Sequence, residues 1–309
     1  MIRIDGSTFR MGSDRFYGDE RPAHHRTVDA FLIDQHAVTN DEFAAFVADT
    51  AYVTVAERPL PEREYAHLPD QDRQPGALVF TRTTGPVRLD DWRQWWRWVP
   101  GAQWRHPEGP TSDIADRGRH PVVQVAYDDA LAYATWAGKR LPTEAEHEYA
   151  AHGGLDGDFA WGDEPYPGGI AQANTWLGSF PYDNRGGFGA GTAPVGSYPA
   201  NGYGLLDMIG NVWEWTSDPY TDHHVDPSLA PVSAGGRPSL LTAVPASPSA
   251  PARRVLKGGS YLCSPDYCLR FRPAARSPQA DDTATTHIGF RCARNAPPAT
   301  TAADLRREP

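Results

Sequence analysis

The chain has 309 residues, a formal net charge of -10 and hydrophobic residues at 40% of its positions. This length fits one large domain or two ordinary ones, and the acidic balance argues against a nucleic-acid partner. No stretch approaches the roughly 20 apolar residues that span a bilayer, and the N-terminus lacks the apolar region of a signal peptide. We therefore expect a protein without a membrane span, located in the cytoplasm.

The N-terminal part of the chain combines short strands with a capped helix. Residues 2–35 contain short apolar runs and alternating patterns that are typical of strands. Thr39 and Glu42 form a capping box, which predicts that a helix begins there. Residues 57–90 are rich in Pro and Arg and show no periodicity, whereas the apolar residues 122–125 predict a strand.

Two further helices are predicted in the middle of the chain. Residues 128–137 have a helical apolar pattern that ends at Gly138, a residue typical of the position after a helix. A second capping box, Thr143 to Glu146, predicts a helix that ends at Gly153. The tryptophans and arginines of 92–98 could stack on nucleic-acid bases, but with this charge we expect them to pack in the core and in grooves.

The composition indicates a loop-rich fold. The chain has 29 Gly, 29 Pro and 10 Trp; Gly and Pro interrupt regular elements, and Trp supplies large buried area. We predict a single α+β domain over 1–295 with little regular secondary structure. A Pro- and Ser-rich insertion is predicted near 226–252 and a disordered tail over 296–309.

Two of the three cysteines lie five residues apart, at Cys263 and Cys268. Three chemistries fit this pair: a structural disulfide, a redox dithiol, although the usual spacing is C-x-x-C, and a soft-metal site. Tetrahedral zinc needs four ligands, whereas two thiolates suit Cu(I), which is soft and accepts low coordination. The pattern alone leaves these three open beside a fourth reading, inert thiols.

Eight segments of the chain, in order, resemble the formylglycine-generating enzymes, the sulfatase-modifying factor family. They are 9–13, 37–40, 104–109, 120–123, 136–146, 210–215, 257–260 and 289–292. Most of them, including R-L-P-T-E-A-E and G-N-V-W-E-W, specify only the fold, because members of different chemistry share them. The specific part is G-G-S-Y-L-C-x4-C, followed by R-x-R-x-A-A-R-S. The resemblance implies the C-type-lectin-like fold of this family.

The resemblance also implies an activity and its residues. The enzyme would oxidise a cysteine in a C-x-P-x-R motif of an unfolded sulfatase to Cα-formylglycine, using O2 and a thiol reductant. Cys263 and Cys268 match the ligands of Cu(I), which thiolates bind strongly. Ser260 and Trp213 match positions that line the O2 pocket. Tyr267, next to Cys268, is either a hydrogen-bond donor to the site or a packed core tyrosine.

A first calcium site is implied near the G-N-V-W-E-W segment. Asp207 and Glu214 match its side-chain ligands, and the backbone carbonyls of Gly210 and Val212 complete the set. Oxygen ligands supplied partly by backbone suit Ca2+. The alternative is that Asp207 is a turn residue and Glu214 an ion-pair partner.

A second calcium site is implied by Asn174 and the carbonyl of Thr175. The acidic ligand that the family places just before the aromatic Phe188 is missing, because two glycines stand there. Asp183 is the candidate to replace it through a different loop path.

Two departures from the family pattern concern single residues. Cys292 forms a disulfide in family members from secretory compartments, but its partner position holds Ala134 here. We therefore expect Cys292 to be a free, buried thiol, in keeping with a reducing cytoplasm. His147 replaces a tryptophan of the family, and we expect it to alter packing only.

Two other functions are alternatives to the leading one. Iron-dependent sulfoxide synthases of the same fold use an H-x3-H-x-E triad, which this sequence lacks. The remaining alternative is a non-enzymatic member that binds peptides or carries copper. The histidine pairs 24–25 and 223–224 are expected to be solvated surface residues. We expect a monomer.

Overall fold

The computed structural model describes residues 1–60, 62–66, 69, 73–224 and 252–297. The predicted insertion and tail lie outside the described residues, except for residues 252, 296 and 297. The helices are α1 (Asn40–Thr50), α2 (Glu62–Tyr65), α3 (Tyr127–Trp136) and α4 (Glu144–His152). The strands are β1 (Ile2–Ile4), β2 (Ser7–Met11), β3 (His24–Val28), β4 (Phe31–Ile33), β5 (Gly76–Phe80), β6 (Trp96–Pro100), β7 (Trp213–Pro219), β8 (Arg253–Lys257), β9 (Arg276–Ala280), β10 (Ile288–Gly289) and β11 (Ala293–Asn295).

The strands form small sheets joined by long irregular connections. One sheet has the order β1-β4-β11 and another β10-β7-β8-β9, while β2-β3 and β5-β6 are two-stranded. In the four-stranded sheet, β8 and β9 are antiparallel and Lys257 pairs with Arg276. The connection 258–275 therefore leaves and re-enters the sheet at adjacent positions, and it carries both cysteines of the close pair. The ladder fixes the two ends of this loop.

The helix boundaries follow local sequence signals. The Thr39 side chain accepts the Glu42 backbone N–H, and Glu42 bonds back to Thr39, so the predicted capping box begins α1. Thr143 and Glu146 make the same exchange at the start of α4. Each box satisfies amide groups that have no partner inside the helix. Both predicted helix starts are confirmed.

Two predictions of strand content are wrong. Residues 122–125 are not a strand, because Gln124 has φ 60°, a left-handed conformation that interrupts an extended chain. Conversely, Gly76–Phe80 forms β5 inside the stretch predicted to be irregular. Its apolar run is short, and the Pro- and Arg-rich residues around it mask the signal.

Aromatic side chains dominate the interior, as the composition predicted. Four tryptophans are at most 1% exposed: Trp95, Trp104, Trp176 and Trp215. The main apolar cluster contains Trp104, Trp213 and Cys263, and a second cluster joins Trp95 and Trp176. Trp92, at 52% exposure, is an exception. No helix in the described part of the chain is long and apolar enough to cross a membrane.

Candidate active site

The cysteine pair lies in a tight turn of the 258–275 connection. The Sγ atoms of Cys263 and Cys268 are 3.8 Å apart and both thiols are free, whereas a disulfide bond is about 2.05 Å long. The backbone N–H of Cys268 donates to the Ser264 carbonyl at 2.6 Å, which closes the turn. Cys263 is buried and Cys268 is partly exposed. The structure therefore holds two adjacent thiols, one on a buried residue and one on a partly exposed residue.

Ser260 lies directly beside the buried sulfur. Its backbone N–H points to Cys263 Sγ at 3.4 Å, and its Oγ accepts the Leu262 N–H at 3.2 Å. The preceding Gly259 has φ 75°, and a Cβ there would lie 2.8 Å from the Arg270 carbonyl oxygen. Glycine is needed at this position because the backbone at Gly259 and the backbone at Arg270 approach each other so closely.

Tyr267 belongs to an aromatic stack next to Cys268. Its ring lies flat on Phe180, with centroids 4.4 Å apart, and meets the edge of Trp95 at 5.6 Å. Tyr267 is nevertheless 40% exposed. Among the described residues its hydroxyl has no protein hydrogen-bond partner. The packing interpretation of Tyr267 fits this geometry.

Trp213 is positioned by the sheet rather than by the loop. It begins β7, it is 5% exposed, and it shares the main apolar cluster with Cys263. The register pairs Glu214 with Lys257, so Trp213 and the turn at Ser260 leave the same end of the β7–β8 pair. The structure thus brings Ser260, Trp213 and the cysteine pair to one region.

The two thiols differ in acidity because they share a proton. A hydrogen bond from the Cys263 thiol lowers the pKa of Cys268; burial opposes this effect, and the Arg270 guanidinium reinforces it. Donating that hydrogen bond, together with burial, raises the pKa of Cys263 well above its ordinary value. Cys268 is therefore the thiol that ionises first.

Residues 16–20, which we call the acidic clamp, form a part of the site that the sequence did not reveal. Asp19 pairs with Arg270 at 2.8 Å, and Glu20 accepts a bond from Arg272 at 3.0 Å with both side chains buried. The Tyr17 hydroxyl accepts the Leu269 N–H at 2.9 Å. These partners are about 250 residues apart in the chain. The only available signal was the charge complementarity between G-D-E and R-x-R.

Two more buried ion pairs fix the ends of the cysteine loop. Lys257 donates to Glu148 at 2.7 Å, and a terminal guanidinium nitrogen of Arg276 donates to Glu144 Oε2 at 3.0 Å. One ligand atom each of Glu144, Glu148 and His224 lie within 4.8 Å of one another. Each of the two carboxylates is paired with a cation, so this cluster is an ion-pair centre with balanced charges.

Only one histidine of each pair is exposed, whereas the sequence predicted that both would be. His25 and His223 are exposed, but His24 and His224 are buried, with ring centroids 5.2 Å apart. The prediction of surface histidines is therefore wrong for His24 and His224. The backbone N–H of His224 donates to the Arg21 carbonyl at 2.7 Å, which holds this segment against the β2–β3 hairpin.

The first predicted calcium residues surround a buried ion pair. Arg291 binds both Glu214 oxygens, at 2.6 and 2.8 Å, and His147 Nε2 lies 3.0 Å from the same carboxylate. Burial would raise the pKa of Glu214, but the Arg291 charge and the His147 hydrogen bond lower it to about 2. Asp207 Oδ2 accepts the Gly196 N–H at 2.7 Å. The structure therefore shows Glu214 as an ion-pair partner, which was the alternative to a calcium ligand.

Gly210 and Val212 lie in the turn between Asp207 and Glu214. The turn is irregular, because Asp207, Gly210 and Asn211 all have positive φ. His147 does more than alter packing, since it contacts the Glu214 carboxylate directly.

The second predicted calcium residues are only partly together. Asn174 is buried and bonds to the Gly191 carbonyl at 3.0 Å, and Thr175 is buried beside it. Asp183 instead pairs with Arg185, 2.8 Å away at the surface. Phe188 is 39% exposed. The side chain of Asp183 therefore faces a cation of its own loop.

Cys292 is free and buried, which confirms that prediction. Burial, the largest effect, and the neighbouring Asp34 carboxylate raise its pKa. Its backbone N–H donates to Asp34 Oδ2 at 3.2 Å. This thiol lies in the main apolar cluster together with Ala134, the position of the absent disulfide partner.

Known proteins match nearly the whole length of this chain. The family model of the "Sulfatase-modifying factor enzyme 1-like domain" matches residues 1–296. The chain is 60% identical over 294 residues to the formylglycine-generating enzyme of Mycobacterium tuberculosis, covering 94% of this chain and 96% of that protein. It is 46% identical over 300 residues to the formylglycine-generating enzyme of Thermomonospora curvata, covering 95% and 92%. The solved structure of PvdO from Pseudomonas aeruginosa superposes with a TM-score of 0.61 at 27% identity, covering 95% and 93%. The predicted loop-rich α+β fold is confirmed.

Proposed function

Since the chain belongs to the sulfatase-modifying factor enzyme family, we propose that it converts a cysteine of a sulfatase polypeptide to Cα-formylglycine. Two relatives that align with more than nine-tenths of the chain are named formylglycine-generating enzymes. The observation that carries the proposal is the pair of free thiols, 3.8 Å apart, in the loop between β8 and β9. An enzyme of this class is an oxidoreductase that acts on a sulfur group.

The finer features of the reaction are part of the same proposal. The client is an unfolded sulfatase segment with a C-x-P-x-R motif, O2 is the oxidant and an external thiol is the reductant. The partly exposed Cys268 and the exposed face of Tyr267 give a client cysteine a place to approach. This geometry supports a reaction in which the client cysteine stays at the surface of the loop and does not enter the core.

Cu(I) is the proposed cofactor, and the donor set of the site fits it. Cys263 and Cys268 would hold the ion, because their sulfurs are unbridged and close enough for one soft ion to contact both. Among the described residues no third His, Cys, Asp or Glu ligand atom groups with this pair, so zinc would lack the four ligands of its usual tetrahedral site. When bound, Cu(I) supplies the one-electron chemistry with O2 that protein side chains lack.

The protein residues prepare the thiols and exclude water. Arg270 stabilises the thiolate of Cys268, which ionises first. The Ser260 N–H points to the buried sulfur of Cys263 and keeps it turned toward its partner. Ser260 and Trp213 are both almost fully buried. We propose that they line the small space in which O2 is accommodated.

Ca2+ is proposed as a structural ion at the turn from Asp207 to Glu214, with the carbonyls of Gly210 and Val212. The run of positive φ values supports this, because such irregular backbone is where Ca2+ takes carbonyl ligands. Arg291 already neutralises Glu214, so we expect a modest stabilisation by calcium. We also propose a second ion at Asn174 and the carbonyl of Thr175, with Phe188 in the adjacent loop. To bind this ion, Asp183 would leave its pair with Arg185.

The experiment that tests the function is aldehyde formation on a client peptide. A C-x-P-x-R peptide is incubated with Cu(I)-loaded protein, air and a thiol, and aldehydes are captured with an aminooxy reagent. A peptide with serine in place of the cysteine is the matched control. Aldehyde on the cysteine peptide alone is the expected result. If the peptide stays unmodified although copper is shown to be bound, the proposed activity is wrong and the protein is a copper carrier instead.

A further inference from the structure

We propose that Tyr17 is a positioning residue for Cys268 and that it acts through the backbone N–H of Leu269. This inference rests on the proposed function, because it assigns a role at the same cysteine pair. Tyr17 lies in the acidic clamp, far along the chain from the cysteine motif that suggested the site. Its hydroxyl contacts the loop at Leu269, immediately after Cys268.

The contact between Tyr17 and the loop is specific to the hydroxyl group. Tyr17 Oη accepts the Leu269 N–H at 2.9 Å. The Leu269 nitrogen is bonded to the carbonyl carbon of Cys268, and neighbouring Cα atoms are about 3.8 Å apart. A displacement of this N–H therefore moves the backbone that carries the Cys268 sulfur. A phenylalanine would fill the same space without accepting this bond.

Tyr17 also contacts the guanidinium of Arg270, the second residue after Cys268. The Arg270 guanidinium lies 4.0 Å from the centre of the Tyr17 ring, within the range of a cation–π contact. Asp19 binds the same guanidinium at 2.8 Å, and the Arg276 carbonyl accepts a further bond from it. Arg270 is thus fixed from its face and from its edge. The acidic clamp therefore fixes the position of Arg270, two residues after Cys268.

The turn is held by hydrogen bonds on both sides of Cys268. The Cys268 N–H donates to the Ser264 carbonyl, which fixes the backbone from the N-terminal direction. The Tyr17 bond and the bond from Arg272 Nε to the Leu269 carbonyl at 2.8 Å fix it from the C-terminal direction. Loss of the Tyr17 bond increases the population of locally open conformations without unfolding the core. The spacing between the two sulfurs is then no longer held at one value.

The test uses the full-length chain with Tyr17→Phe, which keeps the ring beneath Arg270 and removes only the hydroxyl. Tyr52→Phe is the matched control, because it removes a hydroxyl bonded to Asp129 at 3.0 Å, away from the cysteine loop. Two quantities are measured: the Cu(I) affinity, by competition with a chromophoric chelator, and the iodoacetamide labelling rate of each cysteine in copper-free protein, by mass spectrometry.

We expect Tyr17→Phe to weaken Cu(I) binding about fivefold, the factor that corresponds to one ordinary hydrogen bond. We also expect it to accelerate labelling of Cys263 and Cys268 by a similar factor, while the buried Cys292 labels at the parental rate. Tyr52→Phe should leave the Cu(I) affinity and the labelling of the pair unchanged.

Three results would overturn the inference. One is parental labelling of the pair in Tyr17→Phe, and another is equal acceleration at Cys292, which indicates global destabilisation. The third is the same change in Tyr52→Phe. If the parent protein binds no Cu(I), the copper proposal fails, while the ratio of labelling at the pair to labelling at Cys292 still decides the role of Tyr17.

Discussion

Lys257→Met removes one half of a fully buried ion pair at the start of the cysteine loop. Lys257 Nζ lies 2.7 Å from Glu148 Oε2, and both side chains are 0% exposed. The other Glu148 oxygen accepts the Gly12 N–H at 2.6 Å. The substitution therefore leaves a carboxylate in the interior with a single hydrogen bond and no cation at contact distance.

The expected loss follows from the geometry. At 2.7 Å and an effective dielectric constant of about 20, the Coulomb attraction is about 6 kcal/mol. Desolvation of both ions offsets part of it, and breaking such a pair lowers the free energy of unfolding by roughly 3–5 kcal/mol. The double variant Lys257→Met/Glu148→Gln removes the stranded charge and keeps an acceptor for the Gly12 N–H. We expect it to recover most of the loss, to within about 1 kcal/mol of the parent.

Urea unfolding of the parent, the single and the double variant measures these differences. The midpoint should fall steeply in the single variant and return toward the parental value in the double variant. A single variant that loses less than about 1 kcal/mol, or a double variant no more stable than the single, would refute this account of the buried charges.

Three other outcomes are expected. Cys263→Ser and Cys268→Ser should each abolish stoichiometric Cu(I) binding, measured by chelator competition, and aldehyde formation; full activity in either variant removes copper from the proposal. Calcium should raise the melting temperature of the parent but not of Asp207→Ala; a parent indifferent to calcium contradicts the assigned site. Burial would raise the pKa of Glu148, but the charges of Lys257 and nearby imidazoles lower it below the ordinary 4.5. Because its folded-state pKa is depressed, the stability it confers is complete above pH 4.5 and lost as the pH falls through that pKa. Glu148→Gln should therefore flatten the acid limb of a pH–stability curve, and an unchanged limb would contradict this sign.

The features that sequence predicted well are local. The two capping boxes need residues only three apart, so Thr39 with Glu42 defined a helix start without knowledge of the fold. The cysteine pair was equally visible, because five residues suffice for a turn. Local patterns failed where a single backbone conformation decided the outcome, as at Gln124, whose φ of 60° ended a predicted strand.

The remainder of the site depends on contacts that no local pattern encodes. Tyr17 and Leu269 are separated by 252 positions, yet a hydrogen bond joins them. His224 was predicted to be solvated because its neighbours suggest a loop, but tertiary packing buries it. Glu214 matched a calcium ligand by position, and the structure adds Arg291 as its partner. In each case the partner lies far along the chain, so sequence indicates the charge but not what neutralises it.

The most direct test of the central claim is formylglycine yield as a function of copper. Copper-free protein is titrated with Cu(I) in the presence of a C-x-P-x-R peptide, air and a thiol, and the product is quantified by mass spectrometry. We predict that the yield rises until one Cu(I) per chain is bound and that Cys268→Ser yields no product at any copper level. Equal product from copper-free and copper-loaded protein, or from the variant, would contradict a reaction that depends on copper held by Cys263 and Cys268.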